Sequence, residues 1–264
     1  MQKLRLFLSP LLLVGTLFSI SNWGAARAMA LDGCSEFRIP AIVKNYKEPN
    51  NLERVLLTIL RDENTKIDQF VKAAQDATPF LVQRVFECLD LQEKTIQTPV
   101  AQCIGTQLKD NVVLTTVLRS GDALLEGFRV YFPKAPVGKI LVQRNEQTAE
   151  PYFLYRKLPK CFKKNKKIVI LEPMIATGGS LCMVIGILLE NGITQKNIII
   201  SSVVAAPEGL QSLANEFPEI SVTVLSIDEK LNEKKYIVPG LGDFGDRFYG
   251  TVDYGVDSED AAAE

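Results

Sequence analysis

The sequence predicts an α/β domain on a mainly parallel central sheet flanked by helices, with a helical section in front of it. Three observations carry that expectation. From about Asn51 to Leu91, Ile67, Phe70, Val71, Ala74, Ala77, Leu81, Val85 and Cys88 recur at three- and four-residue spacing, the period of one helix face. After Pro99 the texture changes to short apolar runs alternating with helical stretches, as in a parallel sheet with crossover helices. Runs such as Ile168-Val169-Ile170-Leu171 and Ile198-Ile199-Ile200 lack polar alternation, as strands covered on both faces do. A chain of 264 residues is long enough to bury a full core around such a sheet.

In chain order, strands are predicted at Val112–Leu118, Val137–Gln143, Lys167–Leu171, Ile198–Val204 and Ser221–Ser226, and helices at Ala123–Phe132, Gly179–Glu190 and Glu208–Phe217. Tyr152-Phe153-Leu154-Tyr155 reads either as an exposed strand or β hairpin arm suited to dimer contact, or as a covered core strand. Lys163 to Lys167 reads as a solvated loop. At the N-terminus, Lys3 and Arg5 precede an apolar run from Leu6 to Ile20, followed by Ala28-Met29-Ala30, the layout of a secretory signal peptide. The run contains Pro10 and falls short of the ~20 residues a bilayer span needs, so no stable transmembrane span is expected in the mature chain. The expected organisation is a leader at 1–30, an N-terminal extension at 31–50, the domain at 51–251 and an acidic tail at 252–264. A cleaved leader implies export to the periplasm or the extracellular space; an uncleaved leader or a misassigned start implies the cytoplasm.

Charge and composition exclude several classes of function. The formal net charge is −1 with no long basic stripe, which argues against nucleic acid as a partner. There is no histidine, which removes Ser-His-Asp and Cys-His nucleophile activation, histidine general-base catalysis and nearly every zinc enzyme site. The five cysteines, Cys34, Cys88, Cys103, Cys161 and Cys182, include no C-x-x-C pair, against a metal ribbon or thioredoxin-like redox chemistry. Cys88 and Cys182 fall on apolar helix faces as small buried hydrophobes.

The stretch richest in chemistry runs from Ile168 to Ser180. An apolar strand ends in Glu172, and Ala176-Thr177-Gly178-Gly179-Ser180 then opens a helix. A helix start presents backbone N–H groups without intrahelical partners at the positive end of its dipole. Glycines let backbone wrap a phosphate, and Thr177 and Ser180 add hydroxyl donors. The segment lacks the Gly-Lys-Ser/Thr ending of a Walker A loop, and a plain Gly-Gly turn before an ordinary helix is the competing reading.

This strand-acid-x-x-x-A-T-G-G-S pattern resembles the phosphoribosyl-diphosphate loop of type I phosphoribosyltransferases. Tyr236-Ile-Val-Pro-Gly-Leu-Gly-Asp243-Phe-Gly-Asp246-Arg247 narrows the resemblance to uracil phosphoribosyltransferases. Leu60–Thr65, Thr98-Pro99, Val117–Gly121, Glu150-Pro151, Ala205–Gly209 and Ile227–Asn232 match further pieces in family order, covering roughly Leu57 to Thr251. The resemblance implies a type I phosphoribosyltransferase-like fold. It also implies transfer of phosphoribosyl from 5-phospho-α-D-ribose 1-diphosphate to uracil, giving UMP and diphosphate, with Mg2+ bound mainly through the sugar diphosphate. On this resemblance Glu172, Ala176, Thr177, Gly178, Gly179 and Ser180 hold the 5-phosphate and ribose, and Arg119 and Arg144 contact the diphosphate. Ile237 and Gly242 to Phe244 read the uracil edge through backbone, and Asp243 faces the sugar. Such a reaction needs charge stabilisation at the leaving diphosphate and no protein nucleophile, so the lack of histidine costs it nothing. A homodimer through sheet and hairpin elements and a GTP effector are also implied, although no GTP site can be located in the sequence.

Four departures from the family pattern stand out. Glu172 replaces an aspartate, moving the carboxylate by about an ångström. Arg119-Ser-Gly-Asp122-Ala123 replaces Arg-Ala-Gly-Leu-Gly, which puts the Asp122 charge close to the expected diphosphate and Ala123 where a glycine's backbone freedom is expected. Arg144-Asn145-Glu146 replaces Arg-Asp-Glu, and the leader precedes a domain whose sugar substrate is cytosolic. Two readings follow: an active uracil phosphoribosyltransferase, or a catalytically impaired member acting as an exported uracil- or nucleotide-binding protein. A transferase for another nucleobase is a third.

Overall fold

The computed structural model describes residues 37–144, 151–160 and 166–251. The leader, Cys34, Asn145, Glu146, Cys161, Lys163 and the acidic tail lie outside these described residues. Every described helix and strand belongs to the compact unit Ile39–Glu264.

The helical section is two helices, α1 (Asn51–Arg61) and α2 (Ile67–Phe86), where the apolar period suggests a single helical section. The start of α1 is fixed by a capping box in which Asn50 accepts Leu52 and Glu53 amides and Glu53 accepts the Asn50 amide. Glu53 also receives Arg84 of α2 at 2.7 Å, tying the two helices together. The break between them is an Asx turn: Asp62 Oδ1 accepts the Asn64 amide at 2.9 Å, a local bond that competes with helix continuation.

The helical period also runs on too far at its other end. Leu91 opens β1 (Leu91–Gln97), which pairs antiparallel with β2 (Gln102–Leu108) in a hairpin. At its tip the Thr98 hydroxyl oxygen accepts the Val100 and Ala101 amides. All of β1 is exposed.

Beyond the hairpin follow β3 (Asn111–Leu118), α3 (Asp122–Tyr131), β4 (Val137–Arg144), β5 (Pro151–Lys157), β6 (Lys166–Leu171), β7 (Met174–Ile175), α4 (Gly179–Glu190), β8 (Ile198–Ala205), α5 (Pro207–Glu216), β9 (Ser221–Ile227), β10 (Lys230–Leu231), β11 (Ile237–Val238) and α6 (Phe244–Tyr249). The seven-stranded sheet has the order β5-β4-β3-β6-β8-β7, with β9 also on β8; every pair is parallel except β4–β5. The unalternated runs are buried: Ile168 to Leu171 are fully inaccessible and all of β8 is buried. Tyr152 to Tyr155 form an edge strand exposed on both faces, which settles that segment as an exposed strand. Leu60, Phe70, Leu81, Val85, Leu124 and Phe128 from the helices pack with Leu114, Val169, Leu171 and Val203 of the sheet.

The residues before α1 close an otherwise open sheet edge. Val43 bridges Val222 of β9, with Ile42 O accepting the Val222 amide at 2.8 Å and Val222 O accepting the Lys44 amide at 2.9 Å. Among the described residues no helix is long and apolar enough to cross a membrane.

Candidate active site

Because β3, β4, β6, β8 and β9 are parallel, their carboxyl ends share one edge of the sheet, where ligands bind in open α/β folds. Three segments converge there: the loop after β6, the loop after β3, and the strip from β11 into α6.

After β6 the chain turns through Glu172 and Pro173 into the short β7, which pairs with Val204 and Ala205 of β8. The amide of Ala206 then donates to Ile175 O at 2.8 Å. Gly178 caps α4 at φ +84°, a left-handed conformation that favours glycine, and as a glycine it offers no side-chain cap. The end is donor-rich and electropositive, with Thr177 Oγ1 accepting the Gly179 amide at 3.4 Å and Gly179 and Ser180 partly exposed. Gly209 in the first turn of α5 braces the loop from behind. A Cβ there would lie 2.2 Å from Ala176 O, so only glycine permits this approach.

The loop after β3 is pressed against the end of β6. A Cβ on Gly121 would lie 2.2 Å from Leu171 O and 2.7 Å from Val117 O. That contact brings Ser120 to Glu172, and the Ser120 hydroxyl donates to Glu172 Oε1 at 3.1 Å. Arg119 follows a cis Leu118–Arg119 peptide. Its guanidinium pairs with Asp246 of α6 and donates to Thr251 Oγ1 at 3.2 Å. It also lies 5.7 Å from the Tyr249 ring centroid.

The structure bears on two sequence concerns about this loop. Asp122 does not present a bare charge to the site: Oδ2 accepts Lys139 Nζ at 2.5 Å and Oδ1 accepts Thr116 Oγ1 at 2.7 Å. Ala123 sits in the first turn of α3 with no positive φ, so no glycine is required there.

The third segment is held by two arginines. Arg61 at the end of α1 donates to both carboxylate oxygens of Asp228 and to Gly240 O, while Asp228 Oδ2 accepts the Gly240 amide at 2.9 Å. Gly240 has φ +63° and lies so close to Ile237 O that a Cβ would clash at 2.2 Å. Arg247 is buried and donates to the carbonyls of Leu60, Leu241 and Asp62, with its guanidinium 4.4 Å from the Phe70 ring centroid. Those Leu60 and Asp62 carbonyls are at the negative end of α1, which compensates the buried cation.

Ile237 and Phe244 are buried, and Phe244 packs edge-on against Phe70 with centroids 5.3 Å apart. Their side chains belong to the core. Gly242 and Asp243 are exposed, and Asp243 Oδ1 accepts the Asp246 amide at 2.9 Å. Hydrogen bonds thus link Glu172 to Ser120, and Arg119 to Asp246 and on to Asp243. Arg144 is the last residue of β4, opposite Pro151 of β5; its side chain and Asn145 and Glu146 lie outside the described residues.

Sequence reasoning assigned no role to Arg61, Asp228, Lys139 or Asp246. Arg61 and Asp228 lie within matched family segments, but partners 167 residues apart carry no spacing signal. Two acids at the site suit a hard cation: Asp243 is exposed, and Glu172 is partly exposed with Oε1 on the Ser120 hydroxyl. No group of three His, Cys, Asp or Glu side chains placed to hold a metal ion occurs among the described residues.

The family model described as uracil phosphoribosyltransferase matches residues 48–251. A uracil phosphoribosyltransferase of Dictyostelium discoideum is 37% identical over 205 residues, covering 77% of this chain and 94% of that protein. One from Campylobacter concisus is 41% identical, covering 74% and 93%. Among solved structures, the AQ2163 protein from Aquifex aeolicus superposes with a TM-score of 0.71 at 33% identity, over 79% of this chain and 99% of that one. The matched stretch contains every segment of the site just described, and the chain belongs to the uracil phosphoribosyltransferase family.

Proposed function

We propose that this protein transfers a phosphoribosyl group from 5-phospho-α-D-ribose 1-diphosphate to uracil, forming UMP and diphosphate in pyrimidine salvage. The observation that carries this reading is the meeting of three segments at one sheet edge: a donor-rich helix start, a half-exposed arginine and a strip that is exposed at Gly242 and Asp243.

The α4 start and Thr177 to Ser180 take the 5-phosphate, and Glu172 and Ala176 border the ribose. Arg119, and Arg144 at the end of the neighbouring strand, take the diphosphate. As the C1–oxygen bond breaks, negative charge gathers on the leaving group and these guanidinium forks stabilise it. Positive charge gathers on the ring, and the Glu172 and Asp243 carboxylates balance it. The uracil nitrogen attacks C1 directly while Ile237 and Gly242 to Phe244 hold the base edge through backbone groups. A bound Mg2+ adds charge neutralisation on the diphosphate, and Glu172 and Asp243 are the side chains suited to hold it or its waters.

The pairing of Asp122 with Lys139 weakens one ground for reading the chain as a catalytically silent binder. A homodimer is supported by the apolar exposure of the hairpin and edge strand, with Ile104 70% and Tyr155 50% exposed. A GTP effector rests on family resemblance alone. The sugar diphosphate is a cytosolic metabolite, so the activity belongs on the cytoplasmic side. The test is product analysis with uracil, cytosine and hypoxanthine as competing bases. UMP alone is expected; uracil binding without any nucleotide product would favour the binding-protein reading, and another nucleotide would reassign the base.

A further inference from the structure

We propose that Asp246 is a positioning residue that presents the Arg119 guanidinium to the sugar diphosphate. The inference rests on the reading that Arg119 contacts the diphosphate, and it concerns a residue to which that reading assigns no role.

Asp246 holds Arg119 by one edge only. Asp246 Oδ1 receives Arg119 Nη2 and the Thr251 hydroxyl, the latter at 2.7 Å, and Thr251 Oγ1 in turn accepts Arg119 Nη1 at 3.2 Å. The Tyr249 ring flanks the guanidinium, and the Tyr249 hydroxyl donates to Arg119 O at 3.2 Å, so backbone and side chain of Arg119 are both gripped by the end of α6. The Arg119 side chain is nevertheless 52% exposed. A guanidinium carries five N–H donors, and donors beyond those two contacts remain for an anionic ligand.

Asp246 is itself fixed. Its amide donates to Asp243 Oδ1 at 2.9 Å and its carbonyl accepts the Thr251 amide at 3.0 Å. At Gly245 α6 lies close to the β3 loop: a Cβ there would meet Ser120 Cβ at 3.6 Å and Arg119 Nη2 at 3.8 Å, ordinary packing distances. An unrestrained arginine loses much rotamer freedom when it binds. Held by Asp246 and Thr251, Arg119 has given up that freedom before the diphosphate arrives. A carboxylate aimed across the site would compete with the diphosphate, whereas this one anchors the edge turned to α6.

The Asp246 carboxylate bonds Arg119 and Thr251, whereas its bond to Asp243 in the base strip uses the backbone amide. Asp246→Ala therefore weakens binding of inorganic diphosphate, measured by calorimetry on the full chain, by about tenfold, while uracil affinity is unchanged. A general disturbance of α6 would change both. In an Arg119→Ala background the same substitution has no further effect on diphosphate affinity. Asp246→Asn, which keeps an acceptor of the same shape, falls between wild type and Asp246→Ala, and carries the same cycle where the alanine variant fails to fold. Unchanged or tighter diphosphate binding in the Asp246 variants, or an equal loss in both backgrounds, would overturn the proposal. Diphosphate binding that survives Arg119→Ala would instead overturn the reading of Arg119 on which it rests.

Discussion

Arg61 grips Asp228 with both ends of its guanidinium, Nη1 to Oδ2 at 2.8 Å and Nη2 to Oδ1 at 2.6 Å, and the pair also holds the carbonyl and amide of Gly240. The end of α1, the end of β9 and the turn that begins the base strip are thereby one unit. Removing either partner strands a charge, and the Asp228 side chain is only 1% exposed. Asp228→Ala is expected to lower stability by about 3 kcal/mol in denaturant unfolding. In the folded fraction, uracil affinity falls while diphosphate affinity does not.

The glycines divide sharply by what surrounds them. Gly209→Ala places a methyl 2.2 Å from Ala176 O and must displace the phosphate loop. It is expected to cost about 1–3 kcal/mol in stability and most of the turnover. Gly186, inside α4, has nothing within 4 Å of an added Cβ. Gly186→Ala should raise stability by about 0.5–1 kcal/mol and leave kcat alone, as read by thermal unfolding and steady-state rates.

Lys139 compensates a charge that the sequence places close to the diphosphate site. Lys139→Ala leaves Asp122 without its ammonium partner, and the Kd for inorganic diphosphate should rise by about 3- to 10-fold. Adding Asp122→Leu, the residue type of the family pattern, should restore it. No change in Kd for Lys139→Ala would show that the Asp122 charge does not reach the site.

Burial pushes the Cys88 thiol up to about 11, and burial aided by Glu216 pushes Cys182 up to about 12. Both are protonated at pH 8, and the thiolate is the reactive form. Cys103 is exposed on β2. Mass-spectrometric mapping after iodoacetamide treatment at pH 8 should find Cys103 alkylated and Cys88 and Cys182 unmodified until the protein is denatured.

The sheet core was legible because β6 and β8 are buried on both faces and their apolar runs have no alternation to misread. The hairpin was not: Leu91-Gln-Glu-Lys-Thr-Ile-Gln97 stands clear of the core, so no apolar face is imposed on it, and the helical period ran into Leu91 unopposed. The break between α1 and α2 is held by local bonds, Asp62 accepting the amide of Asn64 and Thr65 donating to Ile59 O, that leave no mark in the apolar period. At the site, the Glu172 to Ser180 loop announces itself because its glycines and hydroxyls are contiguous. The groups that shape the other two segments do not, since Arg61 with Asp228 and Arg119 with Asp246 are paired only by the fold. The pairing of Asp122 was illegible for the same reason: its partner Lys139 lies on the neighbouring strand.

The most direct test of the account is the rate of UMP formation from uracil and 5-phospho-α-D-ribose 1-diphosphate with magnesium, in wild type and Arg119→Ala, alongside uracil affinity in both. The account predicts UMP from the wild type, a rate at least about 100-fold lower in the variant, and equal uracil affinity. A wild-type protein that binds uracil and forms no UMP, or an Arg119→Ala variant that turns over normally, would contradict it.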